Sequence, residues 1–101
     1  MSDGAEARFA ALKRRFRDRT TTDSEALERI AADLERGEPA APLVAEIRRI
    51  SHSLSGAGGI FGFAGISMCA AELEAFALDA PDLSELADAC RVLVGEIRRT
   101  E

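Results

Sequence analysis

The stretch LVAEIRRISHSLSGAGGIF, residues 43–61, decides how this chain folds. Its large apolar side chains recur at helical spacing and would form one stripe: Leu43, Ile47, Ile50, Leu54 and Phe61. An α-helix turns roughly 100° per residue, which places His52 roughly 140° to 180° away from this stripe. The pattern therefore predicts an amphipathic helix that buries the stripe and exposes His52, the single histidine of the chain.

The predicted face around His52 carries only small or cationic side chains. Its members are Ala45, Arg48, Gly56 and Gly59, with Arg49 and Ser55 at the flanks. Glycine inside a helix costs about 1 kcal/mol relative to alanine, so Gly56 and Gly59 require an offsetting benefit. We interpret them as a flat surface that lets another protein's backbone approach. For the other glycines of this region we favour helix packing or turn formation: Gly58, Gly62 and Gly65.

Two helices are predicted before this stretch. Residues 5–19 carry apolar side chains at helical spacing, and the threonine run 20–22 interrupts the pattern. A second helix would begin at a capping box, in which the Thr22 hydroxyl accepts the Glu25 amide and the Glu25 carboxylate reaches back. Gly37 ends this helix.

The third helix begins near Pro39 and Pro42, because proline fits a first helical turn but not a helix interior. Two further helices follow, residues 64–78 and residues 83–99, separated by Pro81. Asp82, with Glu85, is a second capping signal. The apolar positions of these two helices again recur at helical spacing: Ile66, Cys69, Ala70, Leu73 and Phe76, then Leu83, Leu86, Cys90, Leu93, Val94 and Ile97.

Together these segments predict an all-α fold with no competing strand pattern. Four helices with apolar stripes and short connections bury those stripes most simply as an antiparallel up-down four-helix bundle over residues 22–100. The short helix of residues 5–19 would cap one end, attached through Phe9, Leu12 and Phe16. We expect residues 1–101 to form a single domain, because 101 residues support one modest core.

Composition excludes several classes of function. The net charge of -5 argues against a nucleic-acid-binding protein, and the basic cluster at residues 13–19 is interpreted as a solvated face. No apolar run reaches the ~18 residues of a membrane-spanning helix, and the first residues lack the positive start and apolar stretch of a signal peptide. We therefore expect a cytoplasmic protein. Cys69 and Cys90 are predicted to be reduced core thiols.

The residue spacing in this region does not fit a phosphate-binding loop, a metal site or a serine-type catalytic triad. A phosphate-binding loop would need a lysine after Gly62 and a preceding strand, and the chain has neither. His52 has Arg48 and Gly56 as its one-turn neighbours, which do not ligate a metal ion. No Asp or Glu lies one turn from His52, so we expect the imidazole to act without an orienting carboxylate, which argues against a serine-type triad through Ser53.

These residues resemble the histidine-containing phosphotransfer family of two-component phosphorelays. That family's motif reads His-x-Leu-Lys-Gly, followed by a glycine six residues later and an apolar helix ending in Leu-Glu. The matching positions are His52, Leu54, Gly56, Gly62, Ile66, Cys69, Leu73 and Glu74. One position departs, because Ser55 stands where the family has lysine. Arg48, one turn before His52, is the candidate substitute cation, and a merely solvated arginine is the alternative.

The resemblance implies a phosphoryl carrier rather than an autonomous enzyme. His52 would accept a phosphoryl group from the aspartate of a response-regulator receiver domain, or from a sensor histidine kinase, and pass it to another receiver. Docking and phosphoryl surroundings would come from Arg48, Arg49, Ser55, Gly56 and Gly59. Mg²⁺ is expected in the receiver and no metal or cofactor in this chain. We expect a monomer that binds neither nucleic acid nor membrane. The alternative is a helical adaptor that binds its partner without phosphorylation.

Overall fold

The computed structural model describes residues 2–79 and 81–101, which form four α-helices. They are α1 (Ser2–Glu35), α2 (Ala40–Ile60), α3 (Ala64–Leu78) and α4 (Leu83–Arg99). Met1 and Ala80 lie outside the described residues. Consecutive helices are joined by short connections, and the most extensive packing is between α2 and α3 and between α1 and α4. The predicted all-α four-helix bundle is confirmed.

The prediction of a separate N-terminal helix over residues 5–19 is wrong, because α1 continues without a break through the threonine run. The hydroxyls of Thr20 and Thr21 donate to the Arg17 carbonyl oxygen inside the helix, at 2.8 and 3.3 Å. Threonine hydroxyls bonded in this way no longer compete with the helical backbone. The predicted capping box of Thr22 and Glu25 is wrong for the same reason, since no helix begins there.

The other predicted helix boundaries are confirmed. α1 ends at Glu35, and Gly37 follows with a φ of +81°, in the left-handed region that glycine adopts without strain. α2 begins directly after Pro39. The side chain of Asp82 accepts hydrogen bonds from the backbone N–H groups of Ser84 and Glu85, at 2.9 and 3.2 Å, and so caps α4.

The core lies between the four helices and consists of their apolar stripes. Ile47, Ile50 and Leu54 of α2 are at most 1% exposed. They pack with buried side chains of the other helices, among them Leu27, Leu34, Ile66, Leu73, Leu86, Leu93 and Ile97. Cys90 is buried, and burial raises the pKa of its thiol to about 12, whereas Cys69 is only partly buried. Both cysteines are free, as predicted.

The helix α1 is much longer than its neighbours, and its excess lies at one end of the bundle. At ~1.5 Å per residue its 34 residues span about 51 Å, against about 31 Å for the 21 residues of α2. Near this end the rings of Phe9 and Phe16 lie 5.5 and 5.3 Å from that of Phe61. Phe16 is buried, whereas Phe9 and Leu12 are about half exposed. The start of α1 therefore projects past the turn between α2 and α3.

Candidate functional site: the exposed face of α2

His52 lies on the outer face of α2, and 79% of its side chain is exposed. Ile50 and Leu54, two residues to either side, point into the core. The prediction that the apolar stripe of α2 leaves the ring outside the bundle is confirmed. An exposed imidazole on a well-packed helix is held by a rigid backbone while the outer edge of its ring remains accessible to another protein.

The ring of His52 has a carboxylate neighbour, which corrects the expectation that it acts without one. Its Nδ1 lies 2.9 Å from Oε2 of Glu74, a half-exposed residue of α3. An ionised carboxylate only accepts hydrogen bonds, so Nδ1 carries the hydrogen in this pair. In a neutral ring the lone pair is then on Nε2. The contact with Glu74 fixes both the orientation of the ring and the nitrogen that can act as a nucleophile.

Glu74 reaches His52 through the geometry of the helical hairpin formed by α2 and α3. The two helices are joined by the turn at residues 61–63. Residues at similar distances before and after such a turn lie at the same level, and His52 and Glu74 are ten and twelve residues from Gly62. No Asp or Glu lies one turn from His52 on α2, so the spacing within that helix does not reveal this partner, although Glu74 is part of the matched motif.

Three candidate residues near His52 differ in how their polar groups are engaged. Ser55 donates its hydroxyl to the backbone oxygen of His52, at 3.0 Å, and offers no charge. Arg49 is paired with Glu46, and the hydrogen bond from Arg49 lowers the pKa of that carboxyl group. Arg48 is exposed, and within the described residues no acidic side chain pairs with it. Arg48 therefore retains a charge that is free to meet an anion.

The glycines around His52 fall into two groups. A Cβ atom on Gly56 would meet nothing within 4 Å, and one on Gly59 would make only an ordinary contact, 3.7 Å from Ser67 Oγ. A Cβ on Gly58, in contrast, would lie 3.1 Å from the backbone nitrogen of Ser67. Gly62 has a φ of +83° in the turn after α2. Packing and turn formation thus explain Gly58 and Gly62, whereas nothing inside the protein requires glycine at positions 56 and 59.

One contact at the edge of this face could not be anticipated from sequence spacing. The guanidinium of Arg19 on α1 donates a hydrogen bond to the hydroxyl of Ser53, the residue after His52. The same arginine contacts the Asp23 carboxylate at 3.4 Å. Burial raises the pKa of Asp23, and Arg19 opposes that shift. The outer face of α2 is therefore joined to α3 through Glu74 and to α1 through Arg19.

The arrangement matches a known family. The family model of the Hpt domain matches residues 11–100, nearly the whole chain, and the chain belongs to this family. Hpt domains are phosphotransfer modules of two-component signalling that interact with receiver domains and kinases. Searches of curated proteins and of solved structures find no match.

In residues 2–79 and 81–101, no three His, Cys, Asp or Glu side chains group together in a way that could hold a metal ion. None of the helices described for this chain has the length and apolar character needed to cross a membrane.

Proposed function

We propose that this chain is a phosphoryl carrier that accepts a phosphoryl group on His52 from the aspartyl phosphate of a receiver domain, or from a kinase, and passes it to another receiver. The observation that carries this proposal is the geometry of the ring. Its Nδ1 is held by Glu74 at 2.9 Å and the side chain is 79% exposed. Nε2 is the remaining nucleophilic atom of the ring. The surface of α2 one turn after His52 is open, because Gly56 has no side chain.

In the proposed reaction the Nε2 lone pair attacks the phosphorus of the aspartyl phosphate. The N–P bond forms as the P–O bond to the aspartate breaks, and the aspartate leaves as a carboxylate. No proton has to move, because the hydrogen on Nδ1 remains there and the ring takes up the positive charge. The Glu74 carboxylate accepts the Nδ1–H hydrogen bond more strongly from that charged ring than from the neutral one. Glu74 thus orients the nucleophile and stabilises its phosphorylated form.

The phosphoryl group also needs positive charge around its oxygen atoms, since phosphoryl transfer depends mainly on positioning and charge neutralisation. Ser55 has no charge to offer, and Arg49 is engaged by Glu46. Arg48 lies one helical turn before His52, on the same side of α2, and is the proposed substitute for the family's lysine. We propose that Mg²⁺ is bound by the receiver partner and that this chain holds no cofactor.

Gly56 and Gly59 would keep the approach to His52 free of side chains, so that the receiver's backbone can come close. A carrier of this kind acts as a monomer in the cytoplasm, where receivers and kinases exchange phosphoryl groups. It is distinct from an autonomous enzyme, because it supplies a positioned nucleophile and the partner supplies the metal.

The experiment that tests the proposal is phosphoryl transfer from a panel of receivers. Receiver domains phosphorylated with radiolabelled acetyl phosphate are mixed with the wild-type chain or with His52→Gln. We expect label to move to the wild-type chain from at least one receiver and not to the variant. The free energy of unfolding of the variant should lie within about 0.5 kcal/mol of the wild-type value, because the ring is exposed. Binding of a receiver without any transfer would instead support the adaptor alternative.

A further inference from the structure

The guanidinium of Arg19 lies beside the proposed nucleophile, on the side of α2 that faces α1. It donates a hydrogen bond to the hydroxyl of Ser53. Ser53 follows His52 directly, so their Cα atoms are ~3.8 Å apart and their side chains diverge by roughly 100° around the helix. Arg19 thus brings a positive charge from a different helix to the flank of His52.

The orientation of the ring turns Nε2 towards this flank. Glu74 holds Nδ1 from α3, at 2.9 Å. Nδ1 and Nε2 belong to opposite edges of an imidazole, so a ring whose Nδ1 faces α3 has its Nε2 edge directed away from α3. The neighbour of α2 on that other side is α1, which contacts Ser53 through Arg19. A phosphoryl group on Nε2 would therefore lie on the side of the ring that is nearer to Arg19.

Most of the hydrogen-bonding capacity of Arg19 is unused. Its Nε donates to the carboxylate of Asp23 at 3.4 Å, and its Nη2 donates to Ser53. A guanidinium has five N–H donors, so three of them have no partner within the described residues. The side chain is 41% exposed, which leaves the guanidinium room to turn. A phosphoryl group with about two negative charges is a stronger acceptor than the uncharged hydroxyl of Ser53.

The two other arginines near His52 differ from Arg19 in their pairing or in their side of the ring. Arg49 is held by Glu46 through two of its nitrogen atoms. Arg48 lines a groove with residues of α3 and α4, so it approaches the ring from the α3 side. Arg48 and Arg19 thus lie on opposite sides of His52 and can neutralise different oxygen atoms of one phosphoryl group.

We propose that Arg19 is a phosphoryl-binding residue, whose guanidinium turns from Ser53 to the phosphoryl oxygen atoms once these are on Nε2 of His52. This inference rests on the proposed function, because it requires a phosphoryl group on that nitrogen. A planar guanidinium donates two parallel hydrogen bonds to phosphate oxygen atoms, and its charge stabilises the dianion. Ser53 keeps the arginine beside the ring while His52 is unphosphorylated. The contact forms within this chain and needs no partner protein.

The pKa of the phosphoryl group measures this contact in the absence of any receiver. His52 is phosphorylated with phosphoramidate: a bond forms between Nε2 and phosphorus as the P–N bond of the reagent breaks, and ammonia leaves. The second ionisation of the phosphoryl group is then followed by phosphorus NMR as a function of pH. The other charged groups around the ring are Glu74 from α3, Asp23 from α1 and Arg48 from α2, and they are the same in every variant compared.

Four variants separate charge at the phosphoryl group from structural effects. Arg19→Gln removes the charge, and Arg19→Lys keeps it. Ser53→Ala removes the hydrogen bond between α1 and α2 but leaves the arginine. Arg14→Gln is the matched control, since Arg14 is another exposed arginine of α1 and its loss changes the net charge equally.

We expect Arg19→Gln to raise the pKa of the phosphoryl group by about 0.5, because a neighbouring exposed cation favours the dianion. Arg19→Lys should stay close to the wild-type value, and Ser53→Ala and Arg14→Gln should keep it. A wild-type value in Arg19→Gln, or the same rise in Arg14→Gln, would overturn the role of Arg19 and leave the proposed function standing.

A rise in Ser53→Ala as large as that in Arg19→Gln would also overturn this role, because the arginine would then act only by joining α1 to α2. If wild-type His52 takes up no phosphoryl group from phosphoramidate or from any receiver, both this inference and the proposed function are wrong.

Discussion

Gly56 and Gly58 lie two residues apart on α2, yet their surroundings are opposite. Gly58 faces α3, and a Cβ there would come within 3.1 to 3.3 Å of backbone atoms of Ser67 and Phe63. Gly56 faces solvent one turn after His52, with nothing within 4 Å of a Cβ. The comparison separates a glycine that the fold requires from one that the fold leaves unexplained. The unexplained glycine is beside the proposed nucleophile, which is where a partner's approach would require it.

The largest expected effect on stability is at the packed glycine. Gly58→Leu should lower the free energy of unfolding by about 2 kcal/mol, because the backbone atoms opposite it cannot move aside without separating α2 from α3. Urea denaturation measures the change. A variant as stable as wild type would show that the two helices are less closely packed than the contact distances indicate.

At the open glycine, the effects on stability and transfer should have opposite signs. Gly56→Leu should leave the free energy of unfolding unchanged or raise it by up to ~1 kcal/mol, since leucine favours the helix. It should slow transfer about tenfold, which corresponds to ~1.4 kcal/mol of lost docking energy. The matched control is Gly95→Leu on α4, where a Cβ also meets nothing within 4 Å. If both leucine variants transfer at the wild-type rate, Gly56 does not serve docking.

A smaller effect is expected where α3 meets the ring. Glu74→Gln should slow transfer to His52 about fivefold, or ~1 kcal/mol, because a neutral amide does not stabilise the positive charge on the phosphorylated ring. Melting temperature should hold, since the pair is exposed. The lifetime of the phosphorylated chain provides the second readout and should shorten. If the transfer rate and the lifetime of the phosphorylated chain are both unchanged, the contact between Glu74 and His52 is a surface hydrogen bond with no role in transfer.

The smallest effect concerns the substitute cation. Arg48→Ala should slow transfer about threefold, as expected for an exposed charge worth ~0.5 to 1 kcal/mol. Ser55→Lys should partly restore the rate in that background. Arg49→Ala is the control, because Arg49 is already paired with Glu46. Equal rates for Arg48→Ala and wild type at all salt concentrations would assign charge neutralisation to the receiver alone.

The sequence predicted those parts of the fold that depend on local patterns. The stripe of α2, the exposure of His52, and the capping of α4 by Asp82 each follow from residues within a few turns. The continuity of α1 does not follow from local patterns, because a threonine hydroxyl can either cap the start of a helix or, inside a helix, donate to a carbonyl oxygen of the preceding turn. Thr20 donates to the backbone oxygen of Arg17 from inside the helix. Local spacing alone does not decide between these two states.

For the candidate site, the sequence predicted the features within α2 but not the contacts between helices. The helical wheel distinguishes the outward positions of Gly56 and Gly59 from the inward position of Gly58, and the structure agrees with this distinction. The contacts of Glu74 with His52 and of Arg19 with Ser53 join different helices. These contacts depend on how far the helices are shifted relative to one another along the bundle axis. The periodicity within a single helix carries no information about that shift. Counting from the turn at Gly62 would have placed Glu74 near the ring.

Whether His52 carries the phosphoryl group on Nε2 is decided by locating that group on the protein. The chain is phosphorylated by a receiver that transfers to it, and the product is analysed by phosphorus NMR and by mass spectrometry of its peptides. We expect one acid-labile, alkali-stable phosphoryl group, on Nε2 of His52. An acid-stable phosphoryl group on Ser53 or Ser55, or attachment at Nδ1 of the ring, would contradict it.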